Sequence, residues 1–214
     1  MSLQDNIAEF LAGFSKQVPE DVQKLMKAAT QNIKDSGLTD KAPKKSDVLP
    51  AFSLPNQHGK TVNLTDLLVK GPVVITFYRG GWCPYCNLEL KAYQDELANI
   101  QACNATLVAI TPELPDASLS TAEKNELSFE VLSDVNAEYA KSLGLVFSLA
   151  EELRPVYLSF GIEVEKHNGE GQFDLPLAAT FVVAQDGTVA SAFVDADYIK
   201  RQEPSDVVAT LKAL

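Results

Sequence analysis

Val73-Val74-Ile75-Thr76-Phe77-Tyr78-Arg79-Gly80-Gly81-Trp82-Cys83-Pro84-Tyr85-Cys86 is the stretch on which the fold turns. It opens as a short run rich in β-branched residues, the composition of a central strand buried on both faces. Gly80-Gly81 makes a tight turn, and Cys-x-x-Cys follows at once. The residues after it, Asn87 to Leu97, mix polar and apolar side chains at helical spacing. The two cysteines are therefore expected where a strand stops and a helix starts. That place is chemically useful, because the unpaired N–H groups of a first helical turn stabilise a thiolate and lower its pKa. At that spacing the two sulfurs can also close a small disulfide loop.

Outward from this unit, Ala105 to Ile110 is a second buried strand ended by Pro112. Two strands with one helix between them make a β-α-β unit and a parallel pair. Residues 118–127 read as a helix, with Ser118 or Ser120 as its cap and Glu123 in the capping-box position of Ser120. Phe129 to Ser133 is a short strand, and Asn136 to Leu143 a helix stopped by Gly144. Residues 145–160 are mostly apolar, interrupted by Glu151, Glu152, Arg154 and Pro155, and read as a helical insertion. Lys166 to Gln172 reads as an exposed, glycine-rich loop. Ala179 to Ala184 and Val189 to Val194 flank Asp186-Gly187, a strong hairpin signal. Pro204 opens a closing helix that runs to about Leu211.

On the N-terminal side, Ala51 to Leu64 gives two short extended segments joined by a polar turn, and Thr65 to Leu68 a helical turn. Residues 39–50 read as a linker. Before it, Leu3, Ile7, Phe10, Leu11 and Phe14 share one helical face, as do Val22, Leu25, Met26, Ala29 and Ile33. Pro19 suits the first turn of the second helix and Gly37 its stop. These two helices need a surface to cover: the sheet, a core of their own, or a second subunit. The division expected is an N-terminal helical extension and linker over 1–47 and an α/β domain over 48–214, its mixed sheet covered by helices on both faces.

The chain of 214 residues carries 18 basic against 29 acidic side chains, a formal charge of -11, which argues against nucleic acid as a partner. No stretch approaches a membrane span, and the first residues lack a basic region and an apolar core, so no secretory signal is read and a cytoplasmic location is expected. Three cysteines do not suggest a disulfide-stapled fold. The Cys83–Cys86 pair has three readings: a redox dithiol, half a zinc site, or inert thiols. Zinc takes about four ligands, and only Cys103, His58 and His167 remain, in no close-pair pattern. Trp82 and Pro84 suggest a rigid, partly exposed turn around the first sulfur. The dithiol reading carries most weight, and no metal or cofactor is expected. A thiolate would attack a peroxide oxygen or a disulfide sulfur, and its neighbour would close the Cys83–Cys86 disulfide. Position on the helix does not decide which sulfur attacks first.

Trp82-Cys83-Pro84-Tyr85-Cys86 after a hydrophobic strand resembles the thioredoxin motif, which would make Cys83 the attacker and Cys86 the resolving thiol. The surrounding chain is more similar to peroxiredoxins of the alkyl hydroperoxide reductase/thiol-specific antioxidant type. Leu49 to Leu54, the turn Asn56 to Lys60, Phe77-Tyr78 and the segment Ala179 to Val189 carry that resemblance, which covers about residues 48–212. In that register Arg79 stands at the family's proline, Cys83 at its threonine and Cys86 at its peroxidatic cysteine. The family's late arginine would fall near Ala178, and the thioredoxin cis-proline at Ala179. The resemblance implies a thioredoxin-like, peroxiredoxin-type three-layer α/β/α fold with a central mixed sheet. It also implies a thiol-dependent peroxidase acting on hydrogen peroxide or organic hydroperoxides, an external reductant such as thioredoxin or glutathione, and a homodimer. The alternatives are a thiol-disulfide oxidoreductase with little peroxidase activity and a redox-sensing interaction domain. Cys83, Cys86 and Arg79 are the catalytic candidates; Tyr78, Trp82, Pro84, Tyr85 and Thr180 are candidates for the pocket. Cys103 reads as a bystander.

Overall fold

A computed structural model describes residues 2–214; Met1 lies outside the described residues. Five strands form the central sheet: β3 (Val73–Phe77), β4 (Thr106–Thr111), β5 (Glu130–Ser133), β8 (Ala178–Val183) and β9 (Val189–Asp195). Their order is β5-β4-β3-β8-β9. β3 pairs parallel with β4, and β4 with β5, while β8 runs antiparallel to both β3 and β9. The sheet is mixed and helices cover both of its faces, the three-layer arrangement of a thioredoxin-like fold.

β3 explains the layers. Side chains alternate across a strand, so Val73, Ile75 and Phe77 enter one apolar cluster and Val74 and Tyr78 the other. The first cluster is closed by α3 (Leu64–Leu68), α6 (Glu138–Ser142) and the small hairpin β1 (Ser53–Pro55) and β2 (Thr61–Asn63). The second is closed by α4 (Pro84–Gln101), through Leu90, Tyr93, Leu97 and Ile100, and by α9 (Pro204–Lys212), through Val207, Val208 and Leu211. At about 25 cal/mol per Å² of apolar surface removed from water, these two clusters hold the layers together.

Of the two N-terminal helices, only the first lies on this second layer. α1 (Leu3–Gln17) buries Leu3 and Ile7 in the cluster that contains both cysteines of the pair. Its first turn is anchored from α9's cap: the N–H groups of Leu3 and Gln4 donate to the Glu203 carboxylate at 3.1 and 2.7 Å. α2 (Glu20–Asp35) has no fully buried residue and rests Leu25, Met26 and Ala29 against a third, smaller cluster. Pro19 stands at its cap rather than inside its first turn.

That third cluster corrects the reading of residues 145–160 as helical. The segment begins as β6 (Val146–Ser148), paired antiparallel with β7 (Asp174–Pro176), and turns helical from Glu151, through a 3-10 turn (Glu151–Leu153) that leads into α7 (Arg154–Ser159). Pro155 stands in the first turn of α7, where its missing N–H costs nothing. The glycine-rich stretch also differs from expectation: α8 (Val164–Asn168) runs into it and Asn168 is buried. The helix expected at 118–127 is α5 (Pro115–Lys124), shifted toward the N-terminus because Pro115 opens it. Ser118 turns inward instead of capping, its hydroxyl 2.8 Å from that of Ser133. The segment read as a linker is a packed strap. Ala42 and Leu49 are buried, and the N–H groups of Ser46 and Leu49 donate to the carbonyls of Val189 and Gly187.

Candidate active site

β3 ends beneath the N-terminus of α4, and Cys83 is that helix's cap residue. Its backbone is extended, Pro84 takes the first helical position, and the Cys86 N–H donates to the Cys83 sulfur at 3.4 Å. The turn before it is held tightly. A Cβ on Gly81 would lie 2.0 Å from Oγ1 of Thr121, and Gly80, at φ +154, has the Trp82 ring against it. The Gly81 N–H donates to Oε1 of Glu113 at 3.0 Å. Glu113, fully buried in the loop after β4, also accepts from Thr121 Oγ1 at 3.3 Å and from the Tyr78 hydroxyl at 3.4 Å. His167 Nδ1 lies 2.9 Å from the same carboxylate. A buried acceptor that unites three separate donors fixes the turn that presents the first sulfur.

Two arginines flank the dithiol. Arg79, 5% exposed, donates from Nη2 to the Cys83 sulfur at 3.1 Å and from Nη1 to the Tyr157 hydroxyl at 3.2 Å. Its guanidinium is sandwiched between the rings of Tyr198 and Trp82, 4.1 and 5.2 Å from their centroids. Arg201, 3% exposed, donates from Nη2 to the Cys86 sulfur at 3.4 Å and pairs through Nη1 with the buried carboxylate of Glu89. Burial pushes the Cys83 thiol up, but the hydrogen bond from Cys86 and the charges of Arg79 and Arg201 outweigh it and hold Cys83 well below the ordinary thiol value. Cys86 moves the other way: burial, the hydrogen bond it gives to Cys83 and that neighbour's negative charge raise it. The environment thus favours ionisation at Cys83 over Cys86. Burial lifts Glu89 to about 7 against the pull of Arg201.

The turn is partly exposed as expected, with Gly81, Trp82 and Pro84 half-buried, but the two cysteines beneath it have 0% exposure. The sulfurs nevertheless do not sit in hydrocarbon, since each touches a guanidinium. The covering comes from elements remote in sequence. Phe10 of α1 meets the Tyr85 ring edge-on, with centroids 5.2 Å apart. Phe14 of α1, Met26 of α2 and Phe160 just after α7 wall a cavity of about 290 Å³ together with Arg79, Trp82, Pro84 and Tyr85.

The candidates from sequence thus divide. Cys83, Cys86, Arg79, Trp82, Pro84 and Tyr85 come together. Tyr78 is a buried core ring bonded to Glu113. Thr180 lies mid-strand in β8, paired on both sides with Thr76 and Phe193, and its hydroxyl donates to that of Thr76 at 3.1 Å. Neither lines the cavity beside Trp82. Arg201, Glu89, Glu113 and Tyr157 escaped notice. Glu89 alone left a trace, as a charge one helical turn beyond Cys86 on the face that carries Leu90 and Tyr93. Cys103 is half-buried at the edge of the core. No group of three or more His, Cys, Asp or Glu side chains suited to a metal is gathered among the described residues, and none of their helices is long and apolar enough to cross a membrane.

The sequence profile of the AhpC/TSA family matches residues 46–192, more than half of the chain. Peroxiredoxin Bcp of Escherichia coli (strain K12) is 30% identical over 102 residues, covering 48% of this chain and 65% of that protein. The chloroplastic peroxiredoxin Q of Populus jackii is 32% identical over 101 residues, covering 47% of each chain. The matches thus span less than two thirds of the length of these relatives. Among solved structures, peroxidoxin BcpB from Mycobacterium tuberculosis superposes with a TM-score of 0.63 at 24% identity, over 80% of this chain and 98% of that one.

Proposed function

This chain belongs to the AhpC/TSA family, and on that premise we propose that it is a thiol-dependent peroxidase working through a Cys83–Cys86 dithiol/disulfide cycle. One observation carries the reading: a sulfur at a helix cap, 3.1 Å from a buried guanidinium whose charge favours its thiolate form. Cys83 attacks the terminal oxygen of a hydroperoxide. The sulfur gains an S–O bond, the O–O bond breaks, and the leaving oxygen departs with a proton as water or an alcohol. Arg79 meets the charge that moves from sulfur to oxygen, and because it is already fixed between two rings it needs no reorganisation. Cys86 then condenses with the Cys83 sulfenic acid, forming the S–S bond and releasing water. Two electrons from an external thiol, such as thioredoxin or glutathione, restore the pair. Assigning attack to Cys83 departs from the family register, in which Cys86 holds the peroxidatic position. The low pKa of Cys83 and its contact with Arg79 favour the assignment.

Burial of both sulfurs favours a small oxidant over a protein disulfide, which would need α1 and α2 to part before it reached either one. Stopped-flow mixing of reduced protein with peroxide tests the proposal. One disulfide should form per peroxide consumed. Cys86→Ser should keep the first step and stop at a sulfenic acid trapped by dimedone, and Cys83→Ser should lose it. Reaction retained in Cys83→Ser and lost in Cys86→Ser would move the attack to Cys86. Slow oxidation by every peroxide alongside rapid turnover of disulfides would replace the peroxidase with a disulfide oxidoreductase.

A further inference from the structure

Arg79 is a buried cation with no acid beside it. Among the described residues no carboxylate lies within ion-pair distance of its guanidinium, and its Nε is buried without a protein partner. Its counterpart on the other sulfur is built differently, since Arg201 is paired with the buried carboxylate of Glu89. A carboxylate would fix Arg79 as firmly, but it would also offset the positive charge that favours the Cys83 thiolate. An aromatic face holds a guanidinium while leaving its charge and its N–H groups free. Two rings do so here, Trp82 and Tyr198, with centroids 5.2 and 4.1 Å from Arg79 Cζ. Trp82 arrives with the turn itself. Tyr198 arrives from the connection between β9 and α9, beyond residues 46–192 that the family profile matches.

That connection is a strap across the dithiol. Just after Tyr198 it delivers Arg201, whose Nη2 reaches the Cys86 sulfur and whose Nε donates to the Tyr198 carbonyl at 2.9 Å. The N-terminal helices brace it from outside. Lys34 of α2 pairs with Asp197 at 3.1 Å, and Gln4 of α1 donates from Nε2 to the Arg201 carbonyl at 2.7 Å. From within, the Tyr198 ring leans on Tyr85 of α4, with centroids 5.6 Å apart. The ring over Arg79 is thus held by its own backbone and by a neighbour on the dithiol helix.

We propose that Tyr198 is a positioning residue for the reaction: its ring, carried by the strap, keeps the Arg79 guanidinium on the Cys83 sulfur without offsetting its charge. The role rests on the reading of Cys83 as the attacking sulfur. Tyr198 acts through Arg79 and takes no part in making or breaking bonds. Without the ring, the guanidinium gains room to turn into the cavity of about 290 Å³ that it lines beside Trp82, and the thiolate loses its nearest cation.

Alkylation by a small haloacetamide, followed through the mass of the peptide that carries Cys83 in a Cys86→Ser background, reads this geometry with no peroxide present. Tyr198→Leu should move the inflection of the pH profile upward by about one unit and slow alkylation below it by about tenfold. Tyr198→Phe keeps the aromatic face and should restore the original inflection. Phenylalanines carrying one, two or three ring fluorines at position 198 keep nearly the same shape while draining charge from the face, so the inflection should climb with each fluorine. That series decides the matter even where Tyr198→Leu fails to fold. With Cys86 in place, oxidation by hydrogen peroxide at neutral pH should slow in the same order. An inflection unmoved by Tyr198→Leu, or level across the fluorinated series, would overturn the role of Tyr198. Oxidation by no peroxide, with the inflections still ordered by the ring, would remove the peroxidase and leave the hold of the ring on Arg79 standing.

Discussion

Replacing Arg79 by glutamine removes the positive charge beside Cys83 while keeping a hydrogen-bond donor of similar reach. At the 3.1 Å separation of Nη2 and the Cys83 sulfur, two unit charges attract by about 5 kcal/mol at an effective dielectric of 20, a ceiling of about 4 pKa units. Loss of the thiolate's desolvation penalty is not recovered in the variant, and measured effects of a neighbouring opposite charge are about 1–3 units. The Cys83 pKa should therefore rise by about 2 units. The assay is the pH profile of alkylation by a small haloacetamide, in a Cys86→Ser background so that one sulfur of the pair titrates alone. Below the unaltered protein's pKa the rate should fall by about tenfold to a hundredfold, and at high pH the two profiles should converge. Arg79→Lys, which keeps the charge, should recover most of the shift. An unmoved inflection in Arg79→Gln would show that Cys83 owes its acidity to the helix cap and Cys86 rather than to Arg79; an equal rise in Arg79→Lys would show that the guanidinium's hydrogen bond, not its charge, holds the thiolate.

Further outcomes follow from the same geometry. Glu89 titrates at about 7 in the folded protein against 4.5 when unperturbed, so its protonated form is favoured by folding. Its stabilising contribution is full below the lower value and lost as pH rises through the upper one. Urea midpoints of the wild type minus those of Glu89→Gln should decline across that window by the equivalent of about 3 kcal/mol, and a flat difference would contradict it. Gly81→Ala should destabilise by about 1–3 kcal/mol through collision with Thr121, with partial recovery on adding Thr121→Ala; full tolerance would mean the turn is looser than its contacts imply. Glu203→Ala frees the N–H groups of Leu3 and Gln4 and should cost about 1 kcal/mol, as the loss of a helix cap does. Amide exchange along α1 should quicken, and bulky maleimides should reach Cys83 faster; unchanged labelling would mean α1 does not gate the dithiol.

Much of this protein was legible in its residues one after another. β3 and β4 are apolar and β-branched runs, Asp186-Gly187 turns the β8–β9 hairpin, and Cys83 precedes a helix, because strand, turn and cap preferences are local properties of the backbone. The dithiol and Arg79 lie within the same few residues and could be named together for that reason. Where local signals were ambiguous, tertiary pairing decided. Residues 145–160 start as a strand only because β7 is there to receive them, and Ser118 is turned inward rather than capping because it meets Ser133. The state of the two sulfurs was not local at all. Arg201 reaches Cys86 across 115 residues and Tyr157 reaches Arg79 across 78, while α1 and α2 return over the site to close it from solvent. Which thiol is ionised, and what can reach it, depends on charges and walls delivered by the crossing of distant segments, and no period or motif along the chain records where those segments meet.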